Sequence, residues 1–332
     1  MIITRTPFRI SFFGGGTDYP AWYRDHGGVV LATTIDKYCY ISCRHLPPFF
    51  DYKHRIVYSK IENVKKIEDI EHPAVRAVLG WTHGDKGLEI HHDGDLPARS
   101  GLGSSSSFTV GLVNALYALD GKYISKEELA SSAIHIEQDI IRENVGSQDQ
   151  ISAAFGGFNR IEFLQNDTFQ VSPIVLARER VVELQSCLML CFTGFSRIAS
   201  EVAKSKIDSL KNHKTELNLM KAMVDESIGL LHSATTPLEE FGRLLDQNWR
   251  YKCSLSSRVS TPEIDQIYAS ALQAGAVGGK LLGAGGGGFM LLFARPDAQE
   301  QVRRRLANLV HVPFRFETSG SRVMLYQPDG FA

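Results

Sequence analysis

Two glycines and four serines stand directly ahead of a long apolar run in DLPARSGLGSSSSFTVGLVNAL, Asp95–Leu116. Serine-rich tracts ordinarily form flexible linkers. Here Phe108, Leu112, Leu116 and Leu119 recur at helical spacing right after the serines, and Gly121 supplies a stop. The segment therefore has to be a loop that feeds straight into a packed helix. Such a junction leaves backbone N–H groups unpaired and places a partial positive charge at the helix start. Gly101 and Gly103 allow a ligand to approach the backbone and the hydroxyls add donors, which together make a phosphate cradle. Serine is also a favoured N-cap, but capping needs one serine, not four behind two glycines.

The rest of the chain alternates strand and helix signals. Thr4–Phe13, Val29–Cys43, Leu88–His92, Gly157–Phe163 and Cys187–Thr193 are strand-like. Ser125 and Glu128 form a capping box ahead of a helix whose stripe is Leu129, Ala133, Ile136 and Ile140. Helices are expected over residues 198–210, 216–231 and 237–253, followed by helix, strand, glycine loop, strand, helix and strand to Tyr326. The order implies an α+β fold, not a doubly wound parallel sheet. A soft boundary near residue 190 divides an expected N-terminal domain (1–190) from a C-terminal one (191–332), and no internal repeat is present.

With 332 residues and a formal net charge of −1, the chain offers no global attraction to nucleic acid or an anionic membrane. No apolar run is long enough to span a bilayer and no signal peptide is visible. Five cysteines (Cys39, Cys43, Cys187, Cys191, Cys253) lack zinc-knuckle spacing. Cys39 and Cys43 share one face of a strand and are expected to be buried thiols. A reduced, cytoplasmic enzyme is the expectation.

Two further glycine loops, SFFGGGTDYP (Ser11–Pro20) and KLLGAGGGGFMLLFA (Lys280–Ala294), flank the serine loop in sequence. None of the three ends in the Gly-Lys-Ser/Thr of a P-loop. Gly283, Gly285 and Gly288 have dinucleotide-fold spacing, but an apolar strand follows them where that fold needs a helix, which argues against a nicotinamide-dependent oxidoreductase.

Together, TPFRISFFGGGTDYP, LPARSGLGSSSS and KLLGAGGGGFMLLF, in this order, resemble the three motifs of the GHMP kinase superfamily of galactokinase, homoserine kinase, mevalonate kinase and phosphomevalonate kinase. The triple glycine, VGSQDQ and FTGFSR are most similar to D-glycero-D-manno-heptose 7-phosphate kinase. That resemblance implies an N-terminal ribosomal protein S5 domain 2-like domain and a ferredoxin-like C-terminal domain. It also implies ATP-dependent phosphorylation of the anomeric hydroxyl of a heptose 7-phosphate to the 1,7-bisphosphate, on the way to GDP-heptose for surface polysaccharide. Galactokinase-like members carry Glu-His where this chain has Gly15 and Gly16, which argues against galactose.

The site residues follow from the resemblance. ATP is expected along Pro97, Arg99, Ser100, Gly101, Leu102, Gly103, Ser104, Ser105 and Ser106, and Mg2+ on Ser105 and Glu137. Glu137 shares a helical stripe with Ile134 and Ile141, so the residues alone equally allow a boundary glutamate in contact with water. Asp149 matches the catalytic aspartate, though an aspartate in such a turn often makes only a local hydrogen bond. Arg9 is expected to orient the acidic pair or face the transferring phosphate, unless it is a strand-surface charge. Asp18, with Gly15, Gly16, Thr17, Gly285 and Gly286, is expected at the sugar, and an Asx turn at Asp18 is the plainer alternative. Arg197 is the first candidate for the remote phosphate, with Arg24, Lys37 and Arg44 behind it, each otherwise a solvated charge. HHDGD (His91–Asp95) reads as a solvated turn. The expected partners are a sugar phosphate and ATP, with no nucleic acid and no membrane; a homo-oligomer stays open. Another sugar 1-kinase of the fucose type, or a non-catalytic binder on the same fold, remains an alternative.

Overall fold

The computed structural model describes residues 1–82, 86–98, 100–194 and 199–328. In chain order the first part contains β1 (Ile2–Phe13), α1 (Pro20–His26), β2 (Gly28–His45), β3 (His54–Val57), β4 (Ile61–Val64), α2 (Pro73–Thr82), β5 (Leu88–Gly94) and α3 (Ser104–Leu119). It continues with α4 (Lys126–His135), α5 (Gln148–Phe155), β6 (Phe158–Phe163), β7 (Phe169–Pro173) and α6 (Arg178–Ser186). The second part holds β8 (Leu188–Phe192), α7 (Ala199–Ser209), α8 (Lys214–His232), α9 (Glu239–Ser254), α10 (Pro262–Gln273), β9 (Gly278–Leu281) and β10 (Phe289–Phe293). It ends with α11 (Pro296–Arg305), β11 (Val310–His311), β12 (Phe316–Glu317) and β13 (Arg322–Tyr326).

β2 is the spine of the larger sheet. One of its edges pairs with β1 along its length; the other is shared by β6 over Gly28–Thr33, β12 at Thr34 and Ile35, and β5 over Cys39–His45. β13 returns from the C-terminus to pair with β1, and among the described pairs of this sheet only β3–β5 is parallel. The smaller sheet runs β11-β8-β10-β9, all antiparallel. Both sheets match the α+β expectation. The expected boundary at 190 falls inside β8, and the last two strands belong to the first sheet.

β1 alternates buried and half-buried residues at first and becomes continuously buried from Thr6 onward, where α3, α5, α8 and α9 pack against it. A strand covered on both faces has no solvent side, so even the polar residues that alternate with Phe8, Ile10 and Phe12, namely Arg9 and Ser11, are buried, at 3% and 5% exposure. Cys39 and Cys43 lie on β2 in the core, at 1% exposure each, and burial pushes their thiols up, to about 12 for Cys43. All five cysteines are free thiols. The capping box at Ser125 and Glu128 is present in both directions. The stripe expected after it fails at its last member. Residues 136–140 form a π turn, with the Ile141 N–H donating to the Ile136 carbonyl, and the wider turn rotates Ile140 out to 41% exposure.

The loop between β9 and β10 docks on the serine loop backbone to backbone. The Phe289 N–H donates to the Ser100 carbonyl, and a Cβ on Gly283 would stand 2.5 Å from the Gly101 Cα. A Cβ on Gly288 would lie 2.2 Å from the Ser100 oxygen. The buried Lys252 ammonium donates to the carbonyls of Leu281 and Gly283, at 2.7 Å each, and stiffens this loop from behind. Gly283→Ala, at φ +68°, is expected to part the two loops and cost about 1–3 kcal/mol. Gly229→Ala, inside α8 with open space around it, is expected to stabilise by ~0.5–1 kcal/mol. Denaturant melts of the two variants check this pair of opposite signs.

Candidate active site

α3 starts at Ser104 with Gly103 as its N-cap, in the left-handed region at φ +75°, and no side chain caps it. The serines are therefore not there for capping. Their hydroxyls divide into two kinds. Ser104 is half-buried and Ser105 exposed at the rim, while Ser106 and Ser107 are buried. Ser107 donates to the Pro7 carbonyl at 2.9 Å, tying the helix to β1. Ser106 donates to Glu137 Oε2 at 2.8 Å. It is thus Ser106, not Ser105, that the fold brings to the carboxylate. Ser100 and Leu102 are fully buried, Pro97 is exposed, and Arg99 lies outside the described residues.

Behind the loop sits Arg9, on β1 and 3% exposed, so it is no surface charge. Its Nε and Nη2 donate to the two oxygens of Asp149, at 2.7 and 2.8 Å, and its Nη1 donates to the Gly101 carbonyl at 2.7 Å. A fork-to-fork pair of this kind fixes both planes, which a lysine could not do. The Arg9 N–H also donates to the Leu102 carbonyl. A Cβ on Gly103 would touch the Asp149 carboxylate at 3.4 Å, so the carboxylate lies against the helix start. The Asp149 side chain keeps 25% of its surface open. Asp149 is in the first turn of α5, following Ser147.

Glu137 lies within the π turn and is 1% exposed. Burial pushes its carboxyl up to about 7, opposed by the hydroxyls of Thr109 and Ser106 and the Gln150 amide, with Glu143 adding to the rise. Gln150 Nε2 donates to its Oε2 at 2.5 Å, while its Oε1 is buried with no partner. The alternative of a boundary glutamate reaching water does not hold. An orphaned carboxylate oxygen among hydroxyls suits a hard cation such as Mg2+.

Asp18 is 3% exposed, and its Oδ1 accepts from the Gly16 N–H at 2.9 Å, two residues back, which is not the Asx turn, since that needs an N–H at position 20, where this chain has Pro20. Its Oδ2 accepts from Gln148 Nε2 at 2.8 Å and presses on Gly146, where a Cβ would lie 1.9 Å away. Thr17 is fully buried; its hydroxyl donates to the carbonyls of Gly14 and Val29 and accepts from the Val29 N–H, so it shapes the loop. Gly15 is half-buried and Gly16 packs on Leu217. Gly285 and Gly286 sit on the Val259 backbone, the Gly286 N–H donating to its carbonyl. Tyr19 is buried, and desolvation, reinforced by Asp18 and Asp149 and opposed by Arg9, holds its phenol far above the usual range.

The remaining cations separate. Arg24 pairs with Asp167 and Lys37 with Asp36. Arg44 pairs with Glu89 and lies ten residues along β2 from Thr34, which faces Arg9, or about 30 Å at the strand rise. Arg44 is therefore remote from Asp149. Arg197 lies outside the described residues. Of HHDGD, His91 contacts the Glu89 carboxylate and His92 rests edge-on against Phe108. No group of three metal-binding side chains of the His, Cys, Asp and Glu types occurs among the described residues. Gln148 and Gln150 were missed from sequence; their signal was two amides flanking an aspartate at a helix start.

Because the raised Glu137 carboxyl keeps a proton that the unfolded chain has lost, its contribution to stability is full below its ordinary value of 4.5 and is lost as pH rises through about 7. Glu137→Gln is expected to melt with the parent near about pH 5 and above it near about pH 8, in thermal scans without nucleotide or metal.

Residues 66–157 match the family described as GHMP kinases N terminal domain and residues 230–311 that described as GHMP kinases C terminal. The chain is 32% identical over 319 residues to the D-glycero-alpha-D-manno-heptose 7-phosphate kinase of Campylobacter jejuni, covering 92% of this chain and 93% of that one. It is 27% identical over 338 residues to the galactokinase of Pyrococcus furiosus, covering 91% of each. The crystal structure of a D-glycero-D-manno-heptose 1-phosphate kinase from Bacteroides thetaiotaomicron superposes with a TM-score of 0.80 at 25% identity, over 98% of this chain and 99% of that one. With both halves matched, the fold shared end to end and sugar kinases among its relatives, the chain belongs to the GHMP kinases.

Proposed function

We propose that the protein transfers the γ-phosphoryl group of ATP to the anomeric hydroxyl of D-glycero-D-manno-heptose 7-phosphate, giving the 1,7-bisphosphate. The observation that carries the reading is the Arg9 guanidinium, which holds Asp149 with one side and the phosphate-loop carbonyl of Gly101 with the other. Phosphoryl transfer needs positioning and charge stabilisation more than covalent chemistry. The N–H groups at the start of α3 would hold the ATP phosphates. Asp149, with its carboxylate plane fixed by Arg9, would accept the proton of the attacking hydroxyl. An anomeric hydroxyl is more acidic than an ordinary alcohol, so a modest base suffices. Asp18, whose Oδ1 accepts from the Gly16 N–H and whose Oδ2 accepts from Gln148 Nε2, would also accept from a sugar hydroxyl. Glu137 and the Ser106 hydroxyl, in place of Ser105, would hold Mg2+. That ion would neutralise charge on the phosphate oxygens.

No helix among the described residues is long and apolar enough to cross a membrane, and the free thiols fit a reaction run in the cytoplasm. The Campylobacter jejuni relative, named a heptose 7-phosphate kinase, favours the sugar 7-phosphate over a free sugar. Incubating the protein with ATP, Mg2+ and a panel of sugars and sugar 7-phosphates, with the product located by phosphorus NMR, tests the reaction. A new anomeric phosphate on the heptose 7-phosphate is expected, and product only from free sugars would overturn the choice of substrate.

Asp149→Asn, which keeps the shape beside Arg9, is expected to lower kcat by about 10²–10⁴-fold with ATP affinity unchanged. Near-normal turnover would remove Asp149 as the base. Arg197→Ala is expected to raise KM for the sugar phosphate but not for ATP; equal KM values would pass the remote phosphate to Arg24.

A further inference from the structure

The three consecutive residues Gln148, Asp149 and Gln150 open α5, and successive residues of a helix point about 100° apart. Each of the three reaches a different part of the site. Gln148 Nε2 donates to Asp18, Asp149 takes the Arg9 fork, and Gln150 Nε2 donates to Glu137. Both amides are almost fully buried, at 9% and 0% exposure. Both leave their own carbonyl oxygen buried without a partner. Turning either amide over would set oxygen against carboxylate, so the donor orientation is dictated by the neighbour.

An orphaned buried amide oxygen costs stability, on the order of 1–3 kcal/mol. A methionine of similar length would fill each place without that cost. Packing alone therefore selects against glutamine at both positions, and the feature that compensates is the bond each makes to a carboxylate.

Resting on the roles assigned above to Asp18 and Glu137, we propose that Gln148 and Gln150 are positioning residues that tie the sugar-binding and metal-binding carboxylates to the helical turn carrying the base. Gln148 serves the sugar side through Asp18 alone. Gln150 serves the metal side through Glu137 alone. One rigid turn thereby sets the spacing of all three carboxylates, of which Asp18 lies far from the other two in the chain.

The proposal predicts a crossed pattern in the full-length protein. Gln150→Met is expected to weaken Mg2+ binding about tenfold, measured by calorimetry with a non-hydrolysable ATP analogue, and to leave KM for the sugar phosphorylated in the panel within about twofold. Gln148→Met is expected to raise that KM about tenfold and leave Mg2+ affinity unchanged. Both should melt within a few degrees of the parent. Parallel loss of both parameters in each variant, or no change in either, overturns the proposal. Glu137→Gln and Asp18→Asn run alongside separate the levels. If these two change Mg2+ affinity and sugar KM while the methionine variants do not, only the positioning role falls. If they change nothing, the assigned roles fall and the positioning role falls with them.

Discussion

The guanidinium of Arg9 is the interaction on which the site depends. A cation this far from water is tolerable only when its donors are matched, because desolvating an ion costs several kcal/mol. Here the matching groups are the Asp149 carboxylate and the Gly101 carbonyl. The charge that must be satisfied is therefore satisfied by joining β1, the phosphate loop and α5. Loss of any one partner would leave a buried ion, so the three elements hold their places together.

The second constraint is the absence of side chains where the loops meet. Glycines in LPARSGLGSSSS suggested room for a ligand. The space beside Gly101 is instead filled by the backbone at Leu282 and Gly283, and that beside Gly103 by Arg9 and Asp149. Two glycine motifs nearly two hundred residues apart are thus one packed feature, in which each needs the other's missing Cβ. The serines show a comparable division: two are directed inward to Pro7 and Glu137, while Ser105 is exposed at the helix start.

Much of the architecture was legible from the residues. Strand β2, the helix after the serines, the capping box at Ser125 and the strand after the third glycine loop all follow from local periodicity and turn chemistry. What local pattern could not show was the π turn. Its cause is not in the spacing of Leu129, Ala133 and Ile136; it inserts one wider turn, exposes Ile140 and buries Glu137. Nor could it show that Arg44, a reasonable phosphate ligand by type, sits at the far end of β2.

By itself the sequence determined the kinds of parts: a glycine–serine junction ahead of a helix, a strand bearing Arg9, and carboxylates at 18, 137 and 149. These rest on interactions between near neighbours in the chain, which periodicity, capping and turn preferences report directly. Only the tertiary structure decided which parts meet. It chose Ser106 over Ser105 for Glu137, gave the Thr17 hydroxyl to Gly14 and Val29, and brought Gln148 to Asp18 and Gln150 to Glu137. Those choices turn on side-chain direction and burial, which differ between adjacent residues of the same type and arise only once helices and strands have packed.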